Sequence, residues 1–311
     1  PDGQYDTYLR GPGEGPEIWV SRIYAPNEAL YHSYFDKVNR HYRDIIAKLA
    51  DGGVKSVVPY RDILYTGHPH FAPHKNSDKY RFFADFSARL PGSRFVVFGE
   101  DTGGTAPELF AKYRDGAYLF AEVDGHANPF HHELRDSHYT PADVMTNLLP
   151  DRGALIQALW GCHSGDFWAI REGRINLTFS YILSQGVCQA AYGCSWTSGT
   201  EEAEMEILRG LSRGDFLGLA FGEMQQRLYS RSYMEKFFAN EARHLNHYLP
   251  ANAPEADRLA ELMQRLLRGY NLVGNPFIKI SYSRPLTPTR TGSRHAPPSH
   301  LAASRRAGPG P

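Results

Sequence analysis

Cysteine is scarce in this chain of 311 residues: only Cys162, Cys188 and Cys194 occur. Three thiols make no disulfide framework of the kind that staples small secreted domains. Cys188 and Cys194 fall in one apolar segment (VCQAAYGC) that reads as a strand, which would hold their Cα atoms ~20 Å apart, beyond disulfide reach. A low count does not itself exclude secretion. Charge of one sign is also lacking, since 34 Lys and Arg balance 34 Asp and Glu. Without a basic or acidic run, nucleic acid and membrane surfaces are poor partners. No apolar run approaches the length of a membrane span. No signal peptide is visible and the first residue is Pro, so the sequence reads as an excised or processed piece without its targeting information. With 41% hydrophobic and 22% charged residues, the chain suits a globular enzyme of one large or two small domains.

Residues 1–16 are rich in Gly and Pro and read as an irregular lead-in, while 284–311 lack apolar content and read as a disordered tail. Between them, residues 17–283 form one domain, divisible into subdomains of about 17–90 and 91–283. Strands are expected at Glu17–Ala25, Val54–Tyr60, Arg94–Gly99, Ala117–Asp124, Ala154–Trp160 and Val187–Gly193. Helices are expected at Asn27–Asp51, Ser77–Leu90, Pro107–Arg114, Arg174–Gln185, Glu201–Arg231 with a break near Gly214, and Glu255–Arg268. Strand–helix alternation of this kind predicts an α/β sandwich with a mostly parallel sheet.

Two of these strands end in reactive residues. Ala117–Asp124 (AYLFAEVD) runs into Gly125-His126, and Ala154–Trp160 (ALIQALW) runs into Gly161-Cys162. A residue just past a strand end stands at the sheet's C-terminal edge, where open α/β sheets bind ligands. There a thiol and an imidazole can meet although 36 residues separate them. Cys162 is therefore the candidate nucleophile and His126 the candidate general base and acid. A buried, inert cysteine is the competing reading, but the polar, Gly-punctuated segment GCHSGDF suits an exposed turn. Backbone amides of Cys162 and Ala127 could form the oxyanion hole. Asp62, after the second expected strand, is the leading candidate to orient the imidazole. Glu100, Asp101 and Asp124 are the alternatives. Ser195 and Trp196 follow a further strand and could line the substrate pocket. Cys194 is a rival nucleophile without a better-placed histidine. His131, His132, His138 and His163 could bind metal, yet their spacing fits no HExxH or CxxC pattern. His68, His70 and His74 read as a Pro-interrupted, solvated loop with fortuitous metal affinity at most.

Several segments together resemble the gingipain-type cysteine peptidases, which have the caspase-like fold. They are Pro16–Ile23 (PEIWVSRI), Asp124–His132 (DGHANPFHH), Gly161–Phe167 (GCHSGDF), Gly186–Gly199 (GVCQAAYGCSWTSG), Leu211–Phe221 (LSRGDFLGLAF) and Tyr270–Pro276 (YNLVGNP). Each motif is weak alone; their order and spacing over residues 16–280 carry the likeness. Ala127 stands where Gly or Ser is usual, Ser21 where Gly is frequent, and Asn275 where Asp is usual. None of these removes the Cys–His pair. The resemblance implies a caspase-like three-layer α/β sandwich and a cysteine endopeptidase that works through a thioester acyl-enzyme on peptide or protein substrates. It implies no required cofactor, although the family carries structural calcium for which no loop is legible here. It also implies a secreted or cell-envelope location and extends to the family's basic-residue preference, with no specificity acid aligned. The alternative from another class is a catalytically silent caspase-like interaction domain in a secretion or surface-assembly system. A metal-dependent hydrolase is the second rival.

Overall fold

The computed structural model describes residues 21–166, 173–195, 203–228, 252, 254 and 270–283. Helix α1 (Glu28–Ala50) starts where the Asn27 side chain accepts the Leu30 amide and ends at Asp51, before Gly52-Gly53. Strand β1 (Lys55–Val57) leads to β2 (Asp62–Gly67) and a single 3-10 turn, Pro69–Phe71. Helix α2 (Asp78–Arg89), capped by Ser77, precedes β3 (Phe95–Val97). A Thr105–Glu108 capping box opens α3 (Ala106–Asp115), which feeds β4 (Ala117–Asp124). Three short strands follow, β5 (Ala127–Asn128), β6 (His131–Leu134) and β7 (Ser137–Tyr139). A second capping box, Thr140–Asp143, opens α4 (Pro141–Asn147) ahead of β8 (Gly153–Trp160). The described chain continues through α5 (Leu177–Leu183), β9 (Ala190–Cys194), α6 (Ala203–Arg213), α7 (Leu217–Leu228), β10 (Tyr270–Gly274) and β11 (Ser281–Ser283).

Six strands make the central sheet, in the spatial order β10-β9-β8-β4-β2-β3. All neighbouring pairs are parallel except β9 with β10. Neighbouring residues of β2 divide between two cores: Ile63 and Tyr65 pack with Phe83 of α2, Leu208 of α6 and Phe221 of α7. Leu64 packs on the opposite side with Tyr34 of α1, Leu109 of α3, Val144 of α4 and Phe179 of α5. Covering both faces explains why the strands read as continuous apolar runs instead of alternating ones. The protein is thus a three-layer α/β sandwich with a mostly parallel sheet. Because β2 is hydrogen-bonded to both β3 and β4, the expected boundary near residue 90 runs across one sheet.

One strand expectation needs correction. The apolar stretch Val54–Tyr60 contributes no central strand; its β1 pairs with β11 in a separate two-stranded sheet. The central strand is instead Asp62–Gly67, whose apolar content is confined to Ile63, Leu64 and Tyr65. Strand β10 was also illegible in the sequence, as was the small β5–β6–β7 sheet. The lead-in, Glu17–Val20, the helix expected at Glu255–Arg268 and the tail from 284 lie outside the described residues.

Candidate active site

Strands β4 and β8 are parallel neighbours with Asp124 paired to Trp160, and the Gly125 amide donates to Trp160 O at 2.8 Å. His126 and Cys162 therefore each stand two residues beyond one level of adjacent strands. The two glycines make this convergence possible. A Cβ at Gly161 would fall 2.6 Å from the Ala127 Cβ, 3.0 Å from Gly125 O and 3.1 Å from His132 Nε2. A Cβ at Gly125 would drive into the Glu133 carbonyl oxygen. Gly161→Ala should accordingly cost about 1–3 kcal/mol of stability and displace the Cys162 loop. Denaturant unfolding reads the first effect and the alkylation rate of Cys162 the second. An unchanged midpoint together with an unchanged rate would refute the close approach.

The loop after Cys162 is tied to the end of β9. His163 adopts a left-handed conformation with φ of 58°. Ser164 is fully buried; its hydroxyl donates to Gly161 O at 2.9 Å and accepts the Cys194 amide at 3.2 Å. The Gly165 amide donates to Cys194 O at 2.8 Å, and Thr178 Oγ1 donates to Ser164 O at 2.7 Å. These bonds hold Cys162 half-buried while Cys188 and Cys194 are enclosed. Burial pushes the Cys188 thiol up to about 12. Burial, then Glu204 and Cys162, push Cys194 well above the usual thiol value. Only thiolates are good nucleophiles, so Cys194 is a poor rival and Cys162 is the one accessible thiol of the three.

The Ala127 amide does not join the β5–β6 ladder. Glu133 N donates to His126 O at 2.7 Å, and Ala127 faces His132 at the next position of the antiparallel ladder. That position alternates with the hydrogen-bonded pair and turns its N–H away from β6. Ser195, at the end of β9, is part-buried and accepts from the Asn271 side-chain amide. Trp196 lies outside the described residues.

His126 is exposed and rests on a shelf built by the turn after β2. Its ring centroid lies 5.2 Å from His68, 5.8 Å from His70 and 5.1 Å from Phe71, and Phe71 also meets Trp160 at 4.8 Å. The His68 amide donates to Asp124 O at 2.7 Å, fixing the turn against the end of β4. Burial first, then His126 and His70, hold the His68 imidazole below its usual value. The turn thus belongs to the site, with Pro69 and His70 exposed to solvent as its prolines suggest. His74 leaves the group for Asp101, 3.6 Å away. No hydrogen bond joins Cys162 to His126 among the described residues. Apo sites commonly show such bonds long or misaligned.

Asp62 cannot orient His126. It begins β2 at the level of Tyr118, six residues before Asp124 on β4, hence ~20 Å from the reactive edge. Its carboxylate accepts from the Arg94 amide and Nε, each at 2.9 Å. The error follows from the strand reassignment: Asp62 opens a strand instead of closing one. Glu100 pairs with Lys75 at 3.0 Å, and Asp124 turns beneath the sheet edge. Among the described residues, no carboxylate takes the orienting place beside His126.

Of the histidines proposed as an alternative metal set, His131 and His138 meet with ring centroids 6.0 Å apart, but no three of the set converge among the described residues. His131 contacts Asn128 and Glu133, and His163 lies 3.6 Å from Asp166. His132 is buried against Tyr139, and burial pushes its imidazole down to about 3. Among the described residues the one convergent group is His68, His70 and His126. Calcium needs six to eight oxygen ligands, so an all-imidazole group does not fit the structural calcium implied by resemblance.

Directly below the edge lies a buried charge cluster that the sequence did not disclose. Lys79 Nζ is 2.9 Å from Glu122, 2.9 Å from Asp124 and 3.9 Å from Glu204. It also faces the rings of Tyr65 and Trp160 at 5.5 and 5.7 Å, while Tyr65 donates to Asp124 at 3.1 Å. Burial raises Glu122 well above the usual carboxyl value and takes Glu204 to about 7, against the pull of Lys79. Glu122 inside the apolar run AYLFAEVD was the available signal.

No family model and no curated protein matches the chain. The functional reading therefore rests on the site. Among the described residues, no helix is long and apolar enough to cross a membrane.

Proposed function

We propose that this protein is a cysteine endopeptidase of the gingipain type, acting on peptide or protein substrates outside the cytoplasm. The observation that carries the reading is the Asp124–Trp160 pairing, which brings His126 and Cys162 onto adjacent loops of one sheet edge. That edge also lies beside the switch between β2 and β4, where the chain's course through the sheet reverses, the position at which open α/β sheets bind ligands. In this mechanism His126 takes the thiol proton and Cys162 Sγ attacks the scissile carbonyl carbon. The amides of Cys162 and Ala127 donate to the oxyanion. His126 then gives its proton to the departing amine as the C–N bond breaks, leaving a thioester on Cys162. Water, deprotonated by His126, cleaves the thioester and regenerates the thiol.

One observation favours the silent interaction domain: His126 packs edge to face on the His68–His70–Phe71 shelf instead of bonding to Cys162. A peptide library separates the two readings. Incubated at neutral pH under reducing conditions, the wild-type protein should cut after a restricted set of residues, and Cys162→Ala should cut none. Absence of any cleavage by wild type would favour the silent domain; cleavage by Cys162→Ala would overturn the nucleophile.

A further inference from the structure

We propose that His68, His70 and His126 form a three-imidazole site for a borderline-soft divalent metal such as zinc, and that metal bound there withdraws His126 from proton transfer. The second half rests on the peptidase reading; the first does not.

The geometry begins with the sheet. Gly67 pairs with Asp124 at the ends of β2 and β4, so the residues after each strand leave side by side. The His68 amide clamps the two exits together through Asp124 O. One ligand atom from each of the three histidines then lies within 4.8 Å of the others. Zinc–nitrogen bonds of about 2.0–2.1 Å place tetrahedral ligands ~3.4 Å apart, so the rings must draw together by little more than an ångström. His70 and His126 are exposed and free to make that adjustment. The rings meet edge to face, His68 and His70 at 4.8 Å, instead of stacking with their nitrogens turned apart. One local contact would yield: His68 Nδ1 accepts the His70 amide at a long 3.2 Å, and ligation at that lone pair displaces it. Imidazole suits zinc, copper and nickel, whereas calcium and magnesium favour oxygen. Three ligands leave a fourth position open to water.

Three histidines and an open position also describe a catalytic zinc site, so the effect of metal decides between inhibition and activation. Inhibition follows from the shared ligand. A metal on His126 occupies the lone pair that must accept the Cys162 proton.

The test uses the full chain with Cys162→Ala, which removes the thiol as a competing ligand, and titrates zinc against a chromophoric chelator. One equivalent should bind. His68→Gln or His70→Gln, each introduced alone, should weaken binding by at least ~10-fold, and His74→Gln should not. No stoichiometric binding, or binding that survives His68→Gln with His70→Gln, overturns the site. A second arm follows the alkylation rate of Cys162 in otherwise wild-type protein. One equivalent of zinc should slow it, a chelator should restore it, and His70→Gln should be insensitive. If zinc binds as described but leaves alkylation unchanged, or if it accelerates peptide cleavage, the metal site stands and the inhibitory role is overturned.

Discussion

His126→Ala should lower kcat/KM for peptide cleavage by about 10²–10⁴-fold, the range for removing a general acid–base group. Cys162→Ala should remove turnover altogether, since no other accessible thiol stands at the edge. Asp62→Asn should leave kcat/KM within about twofold, because its partner is Arg94 at the far end of β2 and not the imidazole. The informative comparison is between His126→Ala and Asp62→Asn in one assay. Each variant needs an unfolding curve, so that loss of activity is not confused with loss of fold. His126 is exposed, and its truncation leaves the backbone bond from Glu133 N to His126 O intact. If Asp62→Asn were the damaging variant and His126→Ala the silent one, both the strand assignment and the proton carrier would be wrong. The dyad reading also predicts that His126→Ala slows alkylation of Cys162 near neutral pH. Thiolate supply would then depend on solvent base alone.

The reactive strands were legible because each concentrates its signal locally. AYLFAEVD and ALIQALW are long apolar runs closed by Gly, and the described strands are Ala117–Asp124 and Gly153–Trp160. Helices with side-chain caps were legible for the same reason, as at Asn27 and Ser77. What failed was non-local. Strand β2 holds three apolar residues and gains its place from pairing with β3 and β4 on either side. Its neighbour Val54–Tyr60 is more apolar, yet it packs outside the sheet. From that one misplacement came the wrong orienting acid and the dismissal of the His68–His70 turn, since both depend on which end of β2 faces the reactive edge. Lys79 was hidden differently. A lysine near the start of an amphipathic helix looks solvated until the helix is laid across β4.

Lys79→Met should be the most destabilising single change outside the apolar core, at about 3–5 kcal/mol. The methylene stem is kept, so the loss is that of the cation. Without it, the Asp124 carboxylate stays buried beside the Tyr65 hydroxyl and Glu122 with no cation, and Glu122 and Glu204 lose the charge opposing their burial. Because burial already favours the protonated forms of Glu122 and Glu204, replacing either with Gln should cost far less. The contribution of Glu204 to the pH dependence has a definite sign. Glu204 has a folded value of about 7 against an ordinary 4.5, so the folded state holds a proton that the unfolded state releases. Its contribution to stability should therefore fall as pH rises through that interval, whereas buried His132 and His41, held down to about 3 and about 4, contribute in the opposite sense below their ordinary 6.5. Glu204→Gln should flatten the slope. Lys79→Met should steepen it and recover stability on acidification. Thermal unfolding of the wild type and these variants from pH 5 to 8 gives all three slopes. A Lys79→Met midpoint within ~2 °C of wild type at pH 7.5 would show that the cluster is solvated and not the buried support against Trp160 that the packing describes.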